Sequence, residues 1–281
     1  MHSCKILNPL IGERLDELST TIRQLSCYKQ IAQIEVAIGE EGAALIFRHL
    51  VELTDEDKQL LTGFGQRHEF QIYLQPKGPD SVTLLWPDTA SLSYRIPGFD
   101  VTLAFRPNDF TQVNTAINQA MVTRALELLD SQPTDQVLEL FCGLGNFSLP
   151  LASQVKQVVA VEGDAALIER AHENASRNGI DNVEYHVANL MEDVAGLPWV
   201  RNRSYDKVLL DPPRSGALEV LPVIADLRPG RIVYVSCNPA TLARDAGILV
   251  NDYGYNLDKT GVMDMFPHTA HVESIALFIK P

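Results

Sequence analysis

Read for its apolar positions, the second half of the chain is a series of short buried-type strands alternating with amphipathic stretches. From Asp135 onward, the runs 136–140, 157–161, 183–187, 207–210 and 231–236 carry aliphatic and β-branched residues with few interruptions, as strands covered on both faces do. Between them, 147–154, 165–178 and 241–250 have helical spacing. Pro150 stands near the first turn of its helix, where a missing N–H costs little, and Gly179 closes the 165–178 helix. The last two runs, 255–263 and 272–279, are joined by residues 264–271 alone. That connection is too short for a crossover, so these two strands are expected as an antiparallel hairpin. The predicted fold class is α/β: a Rossmann-like, seven-stranded sheet with helices on both faces and an antiparallel C-terminal hairpin.

The first 110 residues follow a different pattern. Leu10, Ile11, Leu15, Leu18, Ile22 and Leu25 predict a helix over 8–25. Runs 31–38 and 43–48 flank Gly39-Glu-Glu-Gly42, a hairpin signal. Thr54 is placed to cap a helix over 54–64 whose first turn is acidic. Short strands are expected at 70–74, 82–86, 92–96 and 101–105, followed by a helix over 114–129. This divides the chain into a smaller α+β domain at 1–110 and a second, α/β domain at 111–281.

Composition narrows the class. The formal net charge of −13 argues against binding nucleic acid with the whole surface. It leaves two readings of Arg201, Arg203, Lys207, Arg214, Arg231 and Arg244, all near the predicted loops: a local basic strip, or scattered solvated cations. No apolar run reaches the ~20 residues of a membrane span, and the start lacks a signal-type stretch, so a cytoplasmic place is expected. Four dispersed cysteines, Cys4, Cys27, Cys142 and Cys237, make neither a disulfide framework nor a zinc site. Cys27 and Cys142 read as packing residues.

Open sheets bind ligands beyond the carboxyl ends of their strands, and three turns of this chain fall there. Phe141-Cys-Gly-Leu-Gly-Asn146 lets a ligand approach the backbone, but Ser148 replaces the third glycine of a dinucleotide fingerprint. Glu162 ends the next strand, where a carboxylate can grip ribose hydroxyls or simply be solvated. Asn189 follows the third strand and could hold an adenine edge. An adenosine ligand without pyrophosphate points to S-adenosylmethionine. Asp211-Pro-Pro-Arg214 forms a stiff lip at which Asp211 can accept from substrate or cofactor, or serve as an ordinary turn residue. Cys237 ends the fifth strand ahead of a helix start, which should lower its pKa and favour a nucleophilic thiolate; the alternative is inert packing. Glu273 opens the last strand, either as a surface flank or as a general base. His268 and His271 read as loop packing, since no third ligand supports a metal.

Taken together, Phe141-Cys-Gly-Leu-Gly-Asn146, Asp211-Pro-Pro-Arg214, Ser236-Cys-Asn-Pro-Ala-Thr-Leu-Ala-Arg-Asp245 and Phe266-Pro-His-Thr-Ala-His-Val-Glu273 resemble the RNA uracil-5 methyltransferase family, nearest to its branch acting on 23S ribosomal RNA. The resemblance runs from Cys4 to the C-terminus. It implies an S-adenosylmethionine-dependent methyltransferase fold that methylates uracil C5 in RNA through a covalent cysteine adduct. It implies Cys237 as nucleophile and Glu273 as base. Cofactor contacts fall on Gln112, Phe141, Asn146, Glu162 and Asp211, with Asn189 added from its position, and Phe110 faces the base or RNA. RNA is the implied partner, with no obligate protein partner.

Members of that branch carry an N-terminal TRAM domain and four cysteines around a [4Fe–4S] cluster. Cys4 resembles the fourth cysteine, and the other three have no counterpart in this sequence. One thiol cannot supply Cys₄ ligation, so no metal and no cluster are expected, and the chain reads as a shortened or naturally short homologue. Two alternatives remain at this stage. One is an RNA cytosine-5 methyltransferase, in which a second cysteine would take the place of Arg214. The other is a catalytically idle RNA- or cofactor-binding fragment.

Overall fold

The structure is a computed structural model that describes residues 2–5, 7–265, 269 and 272–281. The chain forms two compact units, Met1–Tyr94 with Ala104–Thr111, and Arg95–Leu103 with Gln112–Pro281.

The first unit begins with α1 (Pro9–Gly12) and α2 (Leu15–Gln24) where one helix over 8–25 was expected. The break follows from Gly12. Its carbonyl accepts from the Cys4 amide at 2.9 Å, and a Cβ at this position would run into the Cys4 carbonyl, so the chain packs across the helix here. Next come β1 (Ile31–Gly39) and β2 (Gly42–His49), the expected hairpin, then α3 (Asp55–His68), β3 (Gln71–Gln75) and β4 (Thr83–Trp86). Thr54 caps α3 in a capping box with Asp57, and the helix runs four residues past 64 because Phe64 and Gly65 are still buried. The sheet order is β1-β2-β3-β4, and α3 makes the crossover between parallel β2 and β3. Leu45, Phe47, Leu61, Phe64 and Ile72 form the centre of its core. β5 (Leu92–Ile96) and β6 (Val101–Phe105) pair as a separate two-stranded ribbon.

In the second unit α4 (Thr115–Leu129) is capped by Asn114, whose side chain accepts from the Ile117 amide. It is followed by β7 (Gln136–Leu140), α5 (Ser148–Ala152), β8 (Gln157–Glu162), α6 (Ala165–Arg177) and β9 (Val183–Val187). Then come β10 (Lys207–Leu210), α7 (Leu221–Leu227), β11 (Arg231–Ser236), α8 (Pro239–Asn251), β12 (Asn256–Met263) and β13 (Glu273–Ile279). The seven strands lie in the order β12-β13-β11-β10-β7-β8-β9. β13 pairs antiparallel with both β11 and β12, which is the expected hairpin, and the remaining pairs are parallel. Leu138, Leu140, Val159, Val161, Val208, Leu210, Tyr234 and Phe278 carry the core across the sheet.

Three helices differ from expectation. α5 is shorter than 147–154 because the Ser153 hydroxyl donates to the Pro150 carbonyl at 2.7 Å and closes the turn. α8 starts before residue 241 because Asn238 caps it and Pro239 supplies a preset first helical residue. α7 was not anticipated; its Leu221, Val223 and Ile224 are buried, but seven residues are too few to show a helical period. Among the described residues no helix is long and apolar enough to cross a membrane.

Candidate active site

The parallel registers bring the sequence motifs to one edge of the sheet. Leu140 of β7 pairs with Val161 of β8 and with Leu210 of β10, and Leu210 pairs in turn with Tyr234 of β11. Phe141, Glu162, Asp211 and Cys237 therefore all stand at or just past the carboxyl ends of neighbouring strands, and Asn189 follows β9 at the same edge. β13 runs the opposite way, so its first residue, Glu273, lies at this edge too. Ser236 opposite Ser274 is the last pair of the β11–β13 ladder, so Cys237 and Glu273 each lie one residue beyond it, at the same end of the two strands.

The glycine turn is built for close approach. Phe141 (φ 64), Gly143 (φ 56) and Gly145 (φ 102) all take left-handed backbone conformations, and no atom lies within 4 Å of where a Gly143 Cβ would be. Glu162 clamps the turn from β8. Its Oε2 accepts from the Gly143 amide at 3.0 Å, and Oε1 accepts from the Gly163 and Asp164 amides at 2.7 and 3.1 Å. A carboxylate has about four acceptor positions, which leaves room for a hydroxyl donor beside these amides. The open space over Gly143 and this partly used carboxylate fit the adenosine end of the expected methyl donor.

Asn146 is fixed by a residue that the sequence did not single out. Asn118 of α4 is buried, and the two amides exchange hydrogen bonds at 3.0 and 2.9 Å. An Asn inside a predicted helix carries no distinguishing pattern, so nothing in the sequence marked Asn118 as the partner of Asn146. Asn189 is exposed, and its side chain accepts from the Met191 amide and donates to Glu192, a local turn role. Gln112 is half-buried two residues before Asn114, whose amide donates to the Met265 carbonyl at 3.4 Å.

The thiol departs from the expected electrostatics. Burial pushes the Cys237 thiol up from its ordinary value, the Glu273 and Asp211 carboxylates push it further, and the Arg214 guanidinium opposes them. The lowering expected from the helix start is not what prevails: burial first, then the two carboxylates, keep the thiol protonated. Burial also raises Glu273, against the pull of Arg214. Burial, then the Glu273 charge, pushes Asp211 up to about 7. Three acids share one small region, so ionising one disfavours ionising the others.

Beneath the turn lies another missed carboxyl group. Glu139 of β7 is 1% exposed, and burial, with the Asp211 and Glu162 charges, holds its pKa at about 8 although nearby Ser148 favours the ionised form. Neither Glu139 oxygen nor the Ser148 hydroxyl has a hydrogen bond of good geometry. Cys142 and Cys27 are buried, as packing cysteines should be.

The cations do not form a strip. Lys207 pairs with Asp135 at 2.8 Å, Arg203 with Glu184 at 2.8 Å, Arg231 with Asp130 at 3.1 Å and Arg244 with Asp245 at 2.7 Å. Lys207 and Arg231 open their strands and so stand at the opposite edge from the thiol. His268 and His271 lie outside the described residues. No group of three or more His, Cys, Asp or Glu among the described residues is arranged to hold a metal ion, and Cys4 by itself does not fit a cluster.

Comparison with known proteins agrees with this geometry. The sequence model of the tRNA (uracil-5-)-methyltransferase family matches residues 38–281. The 23S rRNA (uracil(1939)-C(5))-methyltransferase RlmD of Xanthomonas campestris pv. campestris (strain 8004) is 53% identical over 277 residues, 99% of this chain and 62% of the relative. The RlmD of Methylococcus capsulatus (strain Bath) is 54% identical over 279 residues, 99% of this chain and 63% of the relative. This chain thus spans less than two thirds of the length of these relatives. Among solved structures, the Pyrococcus abyssi tRNA (uracil-54, C5)-methyltransferase in complex with S-adenosyl-L-homocysteine superposes with a TM-score of 0.75 at 26% identity, covering 99% of this chain and 69% of that one.

Proposed function

Because the chain belongs to the tRNA (uracil-5-)-methyltransferase family, we propose that it methylates uracil C5 in RNA, with 23S ribosomal RNA as substrate and S-adenosylmethionine as methyl donor. The observation that carries this reading is that β13 runs antiparallel to β11, so that Glu273, Cys237 and Asp211 come to the same edge of the sheet, close enough for both carboxylates to act on the thiol. Uracil C5 is a poor nucleophile until something adds at C6, so a thiol and a base on one face are what the chemistry requires.

Ionised Asp211 takes the Cys237 proton as the sulfur bonds to C6, and it can pass that proton to O4 as charge moves to C5 and O4, taking it back when the ring is restored. Glu273 stays ionised through this step and is free to act as a base afterwards. S-adenosylmethionine, when bound, supplies the electrophilic methyl group that C5 takes. Glu273 then removes the C5 proton, the C5–C6 double bond re-forms, and the S–C6 bond breaks to return the thiolate. The glycine turn, with Glu162 clamped to it and Asn146 fixed by Asn118, holds the donor; Phe141 and Gln112 line its approach and Asn189 borders the adenosine end. The base has to leave any stack to be reached. Phe110, in the other unit and 77% exposed, is an aromatic ring available to unpaired bases of the RNA. Such an enzyme works in the cytoplasm, where ribosomal RNA is made.

Ribosomal RNA transcripts carrying 5-fluorouridine test the proposal, because fluorine at C5 leaves no proton for Glu273 to remove. With methyl donor present, a protein–RNA adduct that survives denaturation is expected, and it should be absent in Cys237→Ala. An adduct that persists in that variant removes Cys237 from the role.

A further inference from the structure

The acidic-proline turn reaches past the end of β10 without regular structure, yet it has to hold Arg214 beside the thiol. Asp211 itself is tied to the sheet, its amide donating to the Leu140 carbonyl at 3.4 Å. The residues after it are tied to α8 instead. Asp245 of α8 is fully buried and satisfied on both oxygens. Its Oδ2 accepts from the Ala217 amide at 2.9 Å and from the Tyr234 hydroxyl at 2.7 Å. Its Oδ1 accepts from Arg244 Nε at 2.7 Å, and Arg244 Nη2 donates on to the Ser215 carbonyl at 2.9 Å. Asn238 Nδ2, next to the nucleophile, donates to the Arg214 carbonyl at 3.0 Å. Gly216 (φ 84) lies so close that a Cβ there would meet Arg244 and Asp245.

A buried carboxylate that binds a strand hydroxyl, a loop amide and a guanidinium joins three segments that are remote in sequence. Hydrogen bonds to a charged group are among the stronger ones, and losing one inside the fold leaves its partners unsatisfied. We propose that Asp245, with Arg244 and Tyr234, is a positioning latch that locks the turn 214–217 onto α8 and so keeps the Arg214 cation against Cys237 and Glu273. Tyr234 and Asp245 are fully buried inside the fold. Their contribution is exerted through Arg214, the cation that opposes the two carboxylates around the thiol.

The inference rests on Cys237 being the nucleophile of the proposed reaction, but its test needs neither RNA nor methyl donor. The rate of Cys237 alkylation by iodoacetamide is followed against pH, with the labelled peptide identified by mass. Among the described residues three charged groups act on this thiol: Glu273 from β13, and Asp211 and Arg214 from the loop after β10. Asp245→Asn releases Arg214 while Asp211 stays on its strand, so the alkylation midpoint should move to higher pH by about half a unit. In an Arg214→Gln background the same substitution should move it no further. A folded Asp245→Asn protein with an unchanged midpoint, or an equal shift without Arg214, overturns the latch. Should Asp245→Asn fail to fold, Arg244→Gln and Tyr234→Phe each remove one arm, and a smaller upward shift that again vanishes without Arg214 is required of both. Failure of the uracil reading shows as loss of the fluorouridine adduct with this alkylation pattern intact, so the two outcomes are separable.

Discussion

The two edges of the seven-stranded sheet treat charge in opposite ways. At the amino edge every strand-opening cation has an anion and a carbonyl. Lys207 pairs with Asp135, both 11% exposed, and also donates to the Asp130 carbonyl; Arg231 pairs with the Asp130 carboxylate and donates to the Leu128 carbonyl at 3.0 Å. These bonds collect the last carbonyls of α4, where cations are favoured. At the carboxyl edge Asp211, Glu273 and Cys237 press on one another, with Arg214 as the opposing charge, and all three are held toward their protonated forms. One edge is arranged for stability. The other keeps a conflict of acids, which is where a proton can be moved at neutral pH.

The largest effect is expected from removing one member of the conflict. Glu273→Gln should lower single-turnover methyl transfer by about 10²- to 10⁴-fold, as loss of a general base does. Covalent capture of RNA should survive, and the Cys237 alkylation midpoint should fall, because a negative neighbour has gone. A rise in that midpoint would contradict the carboxylate's role in holding the thiol protonated. At the amino edge the cost appears as stability instead. Lys207→Met leaves Asp135 buried without its partner and should destabilise the fold by about 3 kcal/mol in urea melts. Asp211→Asn, which relieves repulsion, should stay within about 1 kcal/mol of the parent or gain stability. Equal losses from the two substitutions would erase the distinction between the edges.

The edges also separate by pH. Glu139 keeps its proton in the fold up to about 8, whereas an unfolded glutamate ionises near 4.3. Between these values the folded chain binds more protons than the unfolded chain, so this group's stabilising contribution is lost as pH rises. The slope is at most about 1.4 kcal/mol per pH unit for one group. Asp211 adds in the same direction between an unfolded value near 3.9 and about 7. Urea midpoints should therefore decline from pH 5 to 8, and Glu139→Gln should flatten the decline.

What could be read from the sequence divides along the same line. Strand runs such as 207–210 and 231–236 declare themselves because buried parallel strands need unbroken aliphatic residues, and their order along the chain carries the α/β architecture. The motif residues at strand ends were visible for the same reason, since a strand's last residue fixes its edge. Partners across the fold were not. The Asp245 latch joins residues 215, 217, 234, 244 and 245, and the reversal of β13 that brings Glu273 to the edge where Cys237 lies is a property of topology rather than of either residue. The sign of the thiol shift was missed because a helix start is a local feature, while the burial of the thiol and the two carboxylates brought by β10 and β13 come from the fold. Likewise, Gly12 splits the first helix through a contact with Cys4 that spacing does not encode.

The smallest effect concerns how a paired group outside the conflict serves the site. Asn118 and Asn146 satisfy each other's amides, and Asn118 is 2% exposed, so the pair fixes the side chain that borders the glycine turn. Replacing Asn118 by Ala removes both bonds and leaves Asn146 to rotate or seek water. Since Asn146 is proposed to hold the methyl donor rather than to touch the base, the loss should fall on donor binding. An increase of about tenfold in the donor's Kd, or roughly 1.4 kcal/mol, is expected by calorimetry, with the Cys237 alkylation midpoint unmoved. Asn118→Asp should restore part of the affinity, because a carboxylate still accepts from the Asn146 amide. If donor affinity is unchanged while the midpoint shifts, the glycine turn and the thiol are not separable functions, and the carboxyl edge has to be treated as one coupled unit.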